Sequence, residues 1–109
     1  MNIQIFGKSK CFDTKKAERY FKERGVKYQF IDILQKGLSK GELNSVVSSV
    51  GIDELVSEKA EEYHLFKHLV SEDRLEKLLE CPKLYKTPII RNGKKATVGY
   101  SPEIWKEWD

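Results

Sequence analysis

Cys11 lies between two patterns that together would make its sulfur a nucleophile. Before it, Ile3-Gln4-Ile5-Phe6 reads as a short strand. After it, Thr14-Lys15-Lys16-Ala17-Glu18-Arg19-Tyr20-Phe21 carries apolar residues at helical spacing. A cysteine at a strand-to-helix junction faces the unpaired N–H groups and the positive pole of the helix, and both favour a thiolate. Lys8, Lys10, Lys15 and Lys16 surround it with positive charge, opposed there by Asp13. The spacing therefore predicts a reactive thiol. Thr14 either caps the helix or donates its hydroxyl to the thiolate, and the two roles are compatible.

The other chemistry-bearing residues have plainer readings. Cys81 precedes Pro82 at a helix end; resolving an oxidised Cys11 would require Cα atoms within about 7 Å, and a structural role is expected instead. His64 and His68 stand at i,i+4, a spacing that could put two metal ligands on one helix face, but no third ligand completes a site. They are expected to be surface histidines, with no metal. Trp105 and Trp108, three apart, are expected to pack on a sheet.

Several elements must position Cys11. A strand over residues 2–6, a helix from about Thr14 to Arg24 closed by Gly25, and a strand from Val26 to Ile33 form a βαβ unit with parallel strands. In the second strand Tyr28, Phe30, Ile31 and Ile33 are the apolar members. Ser39 and Glu42 form a capping box for a helix bearing Leu43, Val46, Val47 and Val50, which Gly51 ends. A charged helix is expected from about Asp53 to Leu69, and another, capped by Ser71, carries Leu75, Leu78 and Leu79. Residues 87–91 and 95–99 flank Asn92-Gly93-Lys94, an antiparallel hairpin signal. Ser101-Pro102 then opens a final helix.

Composition narrows the class. At 109 residues the chain is expected to be one domain, residues 1–109. A net charge of +3 spread evenly along the chain argues against direct nucleic-acid binding. The apolar stretches are too short to span a bilayer, so no membrane association is expected. Two cysteines make no disulfide framework and no secretory apolar stretch follows Met1, so a cytoplasmic location is expected.

The element order is similar to the thioredoxin and glutaredoxin layout: an α/β fold with a mixed sheet, a βαβ unit, a helical insert at about residues 39–80, and a C-terminal β-hairpin and helix. Three motifs resemble the arsenate reductase (ArsC)-like family. Cys11-Phe12-Asp13-Thr14-Lys15-Lys16-Ala17 resembles its C-x-x-C/S/T-[KR]-K-A signature. Gly37-Leu38-Ser39-Lys40-Gly41-Glu42-Leu43 resembles the G-L-S-K-E-E-L start of the insert. Cys81-Pro82-Lys83-Leu84-Tyr85-Lys86-Thr87-Pro88-Ile89-Ile90, running on to Val98-Gly99-Tyr100-Ser101-Pro102-Glu103-Ile104-Trp105, resembles N-P-K-L-x-x-R-P-I…V-G-[FY]-x-P-E-x-W. The family includes glutaredoxin-coupled arsenate reductases, YffB-type proteins and Spx-type transcription regulators that bind RNA polymerase.

The resemblance implies that Thr87–Pro88 is cis and packs beside Cys11, leaving the Thr87 backbone to hold an extended substrate. It implies Cys11, Thr14 and Pro88 as catalytic residues. Lys8, Lys10, Lys15, Lys59, Lys86, Thr87 and Arg91 are the candidates for holding an oxyanion or glutathione. Two departures matter. Arsenate-reducing members carry arginine where Thr87 stands, and a second arginine aligns loosely with Lys59. A lysine supplies a point charge and not a bidentate fork, which weighs against efficient arsenate reduction. Redox-sensing regulators usually carry a second cysteine at the position of Thr14, so a local disulfide switch is not expected. The resemblance thus implies a monothiol scheme. Cys11 would form a mixed disulfide and be restored by glutathione or a glutaredoxin, with no bound cofactor. The alternative is an Spx-like regulator that binds RNA polymerase, with Gly51 a loose counterpart of the small residue at that contact.

Overall fold

The structure, a computed structural model, describes residues 1–108. Strand β1 (Ile3–Gly7) lies between two neighbours, and Ile3, Ile5 and Phe6 are all shut off from solvent. Near-continuous burial of this kind is expected of a strand covered on both faces. It pairs in parallel with β2 (Tyr28–Asp32) and antiparallel with β3 (Ile89–Asn92), which pairs antiparallel with β4 (Lys95–Val98). The sheet order is β2-β1-β3-β4.

Helix α1 (Phe12–Glu23) makes the crossover from β1 to β2 and buries Thr14, Ala17, Tyr20 and Phe21. It begins two residues earlier than the pattern predicts, because Cys11 already supplies the extended N-cap backbone. Its C-terminus closes on Gly25 at φ 69°, with the N–H of Gly25 donating to Lys22 O and that of Val26 to Phe21 O. These paired bonds satisfy two carbonyls that a helix end leaves free.

Strand β2 is shorter and more exposed than expected. It occupies the sheet edge, so Phe30 faces solvent and only Ile31 is buried. Ile33 instead starts α2 (Ile33–Lys36), where the Asp32 carboxylate accepts from the Leu34 N–H at 2.9 Å. The capping box is formed as read from the chain. Ser39 N–H donates to Glu42 Oε1 at 2.9 Å, Glu42 N–H donates to Ser39 Oγ at 3.2 Å, and α3 (Lys40–Val50) follows.

The single helix expected over 53–69 does not form. In its place are α4 (Ile52–Leu55), an isolated antiparallel bridge between Val56 and Tyr85, turns, and α5 (Tyr63–Phe66). The bridge diverts the backbone: Ser57 N–H donates to Leu84 O and Lys86 N–H to Leu55 O, both at 2.7 Å. Helix α6 (Ser71–Glu80) is preceded by Val70 as N-cap, so Ser71 lies inside the helix and does not cap it. In the hairpin only Gly93 takes positive φ, 61°, so Gly93-Lys94 forms the turn and Asn92 ends the strand. Helix α7 (Pro102–Trp105) starts after Ser101 and runs into a 3₁₀ turn, Lys106–Trp108.

Each face of the sheet carries its own core. Ile3, Ile5 and Ile90 meet Ala17, Phe21 and Trp105 of α1 and α7. The Trp105 indole N–H donates to Thr97 Oγ1 at 2.8 Å, satisfying both buried polar groups. On the opposite face Phe6, Ile31 and Ile89 meet the insert through Leu43, Leu55 and Leu78. Full burial contributes about 1.5–3 kcal/mol per large apolar side chain, so these two layers dominate over any single cap, worth about 1 kcal/mol. Together they hold the end of β1, and with it Cys11, in place.

Candidate functional site at the β1–α1 junction

Gly7 ends β1, a turn follows, and the Cys11 N–H donates to Lys8 O at 3.0 Å. The half-buried Cys11 side chain makes no capping bond to the helix and donates its S–H to the Thr87 carbonyl oxygen at 3.5 Å. The Thr87–Pro88 bond is cis, as the resemblance implies. The Pro88 carbonyl accepts from Gly99 N–H at 2.8 Å, which ties the segment to the residue after β4. Cys11 thus sits where β1, α1 and the approach to β3 converge.

Thr14 is not a cap. It is the third residue of α1, 1 % exposed, and points back into the fold. Gly7 makes room for it: a Cβ on Gly7 would stand 2.7 Å from Thr14 Oγ1. The Thr14 hydroxyl has no hydrogen-bond partner among the described residues. A neutral thiol is a poor acceptor and leaves the hydroxyl unserved, whereas an ionised sulfur accepts from it. Partial burial pushes the Cys11 pKa up. The hydroxyls of Thr14 and Thr87 and the backbone N–H groups of Thr14 and Asp13 pull it down, and the hydrogen bonds prevail, so the thiol titrates below its ordinary range.

Beside the sulfur opens a cleft of about 780 Å³. Lys8, Lys59, Lys86 and Thr87 line it with Cys11, and so do Asp13, Glu54 and Glu58. Three lysines facing three carboxylates make the cleft charge-balanced, not the basic patch that the lysines near Cys11 predict. Lys10 and Lys15 are outside its lining. Arg91 is also away from it: its guanidinium donates to Gln4 Oε1 at 2.7 Å and Ser45 Oγ at 3.4 Å, on the face of the sheet that α3 covers. Strand alternation sends it there, one residue beyond the buried Ile90 of the opposite face. Cys81 packs on the insert-side core and does not line the cleft. His68 lies past the end of α5, so the two histidines do not share a helix face, and His64 Nδ1 is 2.6 Å from Glu61 O. Among the described residues no cluster of three metal-ligating side chains occurs, and no helix is long and apolar enough to cross a membrane.

Sequence reasoning missed Gly7, Glu54 and Glu58. A glycine closing a buried strand just before the cysteine could have pointed to a close approach. The two glutamates carry no linear signal, because the broken insert brings them to the cleft.

The mixed sheet with helices on both faces is a thioredoxin-like arrangement. A profile of the ArsC family matches residues 6–108. The chain is 34% identical to the global transcriptional regulator Spx 2 of Oceanobacillus iheyensis, covering 99% of this chain and 93% of that protein. It is 28% identical to an arsenate reductase of Haemophilus influenzae, covering 94% of this chain and 95% of that protein. An arsenate reductase from Vibrio cholerae superposes with a TM-score of 0.85 at 24% identity, covering 98% of this chain and 97% of that one.

Proposed function

Because the chain belongs to the ArsC family, we propose that it is a monothiol oxidoreductase in which Cys11 exchanges disulfides with glutathione-linked substrates. The observation that carries this reading is the Cys11 sulfur held below the ordinary thiol range by Thr14, Thr87 and the α1 N-terminus at the edge of an open cleft. A thiolate so placed attacks a disulfide sulfur in line with the leaving thiolate.

In the first step the Cys11 thiolate attacks the glutathione sulfur of a mixed disulfide. A Cys11–glutathione bond forms and the substrate sulfur leaves as a thiolate, which takes a proton from solvent. A second glutathione thiolate then attacks the glutathione sulfur bound to Cys11, releasing oxidised glutathione and the Cys11 thiolate. Lys8, Lys59 and Lys86 suit the two carboxylates of glutathione, and Asp13, Glu54 and Glu58 suit its ammonium. The Thr14 and Thr87 hydroxyls stabilise Cys11 each time it is the attacking or departing thiolate. No second cysteine lines the cleft, which fits a one-thiol cycle.

Arsenate is a poor candidate substrate. Thr87 stands before the cis proline in place of an arginine, and the three carboxylates repel an oxyanion from the lysines. The similarity to Spx 2 favours a second reading, a regulator that binds RNA polymerase through the same scaffold. Turnover of the cysteine–glutathione mixed disulfide, coupled to glutathione reductase, tests the first. Cys11→Ser is expected to abolish it, and full activity in that variant would end the oxidoreductase reading. Polymerase recovered with the tagged protein, equally from wild type and Cys11→Ser, would establish the second in its place.

A further inference from the structure

Cys11 has two flanks, and only the insert side is occupied by the scheme above. On the other side lies a groove of about 520 Å³ between α1 and α7. Its charge differs from that of the cleft: Lys16, Arg19, Arg24 and Lys106 face it against one carboxylate, Glu23. None of these four cations forms an ion pair among the described residues, where Arg74–Asp53 is the ion pair found.

Around Lys16, which lines this groove, lie two exposed aromatic rings, and one of them, Tyr100, is part of the lining. Phe12, the residue after Cys11, is 74% exposed, and Tyr100, the residue after the cleft-lining Gly99, is 43% exposed. The Lys16 ammonium lies 5.3 Å from the Phe12 ring centroid and 5.5 Å from that of Tyr100. An exposed ring alone is ordinary, but here two exposed rings share one cation beside a basic groove, which offers a peptide both apolar and charged contacts. The Arg24 guanidinium is stacked 3.7 Å over the buried Tyr20 ring, so at least one cation is held ready without a partner's help.

We propose that this face of α1 and α7 docks the polypeptide bearing the mixed disulfide, and that the segment it takes is acidic with an apolar residue near its cysteine. The inference rests on the disulfide-exchange reading and adds which half of the substrate goes where. Glutathione occupies the charge-balanced cleft, and the departing polypeptide thiolate lies on the basic, aromatic side. An occupant that exchanges disulfides with Cys11 must bring a sulfur, which selects a peptide over a nucleic acid. The four cations, which have no ion-pair partner among the described residues, select carboxylates on that peptide.

The test uses three glutathionylated synthetic peptides of equal length, with acidic, neutral or basic flanks and one leucine beside the cysteine. At low salt kcat/KM is expected to be about tenfold or more higher for the acidic peptide than for the basic one, and the gap should close at about 0.5 M salt. Arg19→Glu combined with Lys106→Glu is expected to remove the preference and leave turnover of the cysteine–glutathione mixed disulfide unchanged. Equal rates on all three peptides, with the small disulfide turned over normally, would overturn the docking surface alone. No turnover of the small disulfide would count against the oxidoreductase reading. Docking is then decided separately by fluorescence anisotropy of the labelled acidic peptide on Cys11→Ser protein. Binding should weaken at least fivefold in the Arg19→Glu/Lys106→Glu background. Equal affinity for the basic peptide, or for a single-stranded oligonucleotide, would overturn it.

Discussion

Cys11 and Cys81 are both half-buried and sit at opposite poles of two helices. Cys11 is the N-cap of α1, where the backbone N–H groups of Asp13 and Thr14 and two threonine hydroxyls are placed to serve its ionised sulfur. Cys81 is the C-cap of α6, spends its own N–H on Lys77 O at 2.9 Å, and packs on the apolar insert core. It also precedes the 3₁₀ turn Pro82–Leu84, whose first residue is a proline with no N–H, and makes no side-chain cap there. At Cys11 burial works against the thiolate, and the donors aimed at the sulfur together outweigh it. The carbonyl pole of α6 offers no such donors, and the short proline-led turn after it caps no sulfur.

Alkylation tests this contrast most directly. At about neutral pH iodoacetamide is expected to modify Cys11 on the order of tenfold or more faster than Cys81, read by peptide mass spectrometry; equal rates would break the comparison. Next in size is Gly7→Ala, whose new Cβ collides with the Thr14 side chain. Overpacking of this kind costs about 1–3 kcal/mol, measured by urea unfolding, and it should slow Cys11 alkylation because Thr14 must shift. An unchanged urea midpoint would show that the junction has slack.

Thr14→Val sharpens the comparison by separating reactivity from stability. Below the Cys11 pKa the hydroxyl is buried and unpaired, so at acidic pH replacing it with a methyl of the same shape should leave stability unchanged or slightly raised. Cys11 alkylation should fall by roughly three- to tenfold, because the lost bond served only the charged sulfur and is screened by nearby water. The smallest expected effect is a pH linkage. The folded-state pKa of Cys11 is depressed, so the folded protein holds fewer thiol protons than the unfolded chain between the two pKa values. Wild type should gain stability over Cys11→Ser as pH rises through that interval, hold it above the ordinary thiol pKa of about 8.5, and lose it as pH falls through the depressed value. The gain should stay below about 1 kcal/mol because the sulfur is partly solvated. A urea midpoint difference that is flat with pH would contradict it.

The junction was legible because its signals are local. A strand pattern, a helix pattern and the Ser39–Glu42 capping box each lie within a few residues, and the sheet agrees with all of them. The cis bond at Thr87–Pro88 entered through family resemblance; nothing in its neighbours alone demands it. What could not be read depends on distant partners. Val56 leaves a helical pattern to bridge Tyr85, Phe30 is exposed because β2 has no outer neighbour, and Arg91 is drawn to Gln4 and Ser45. The balance of charge in the cleft follows from the same cause, since Glu54 and Glu58 arrive there on the segment that Val56 diverts.

That diversion also sets how the molecule opens. The amide hydrogens of Ser57 and Lys86 are each closed by a 2.7 Å bond to the other strand of the bridge, with Thr87 the next residue along. The two amides are therefore expected to exchange deuterium through one shared opening event, with matching protection once their intrinsic rates are divided out. Loosening of the insert therefore frees a peptide group two along from the one that faces Cys11, and a ligand seated against Thr87 is expected to slow exchange at Lys86.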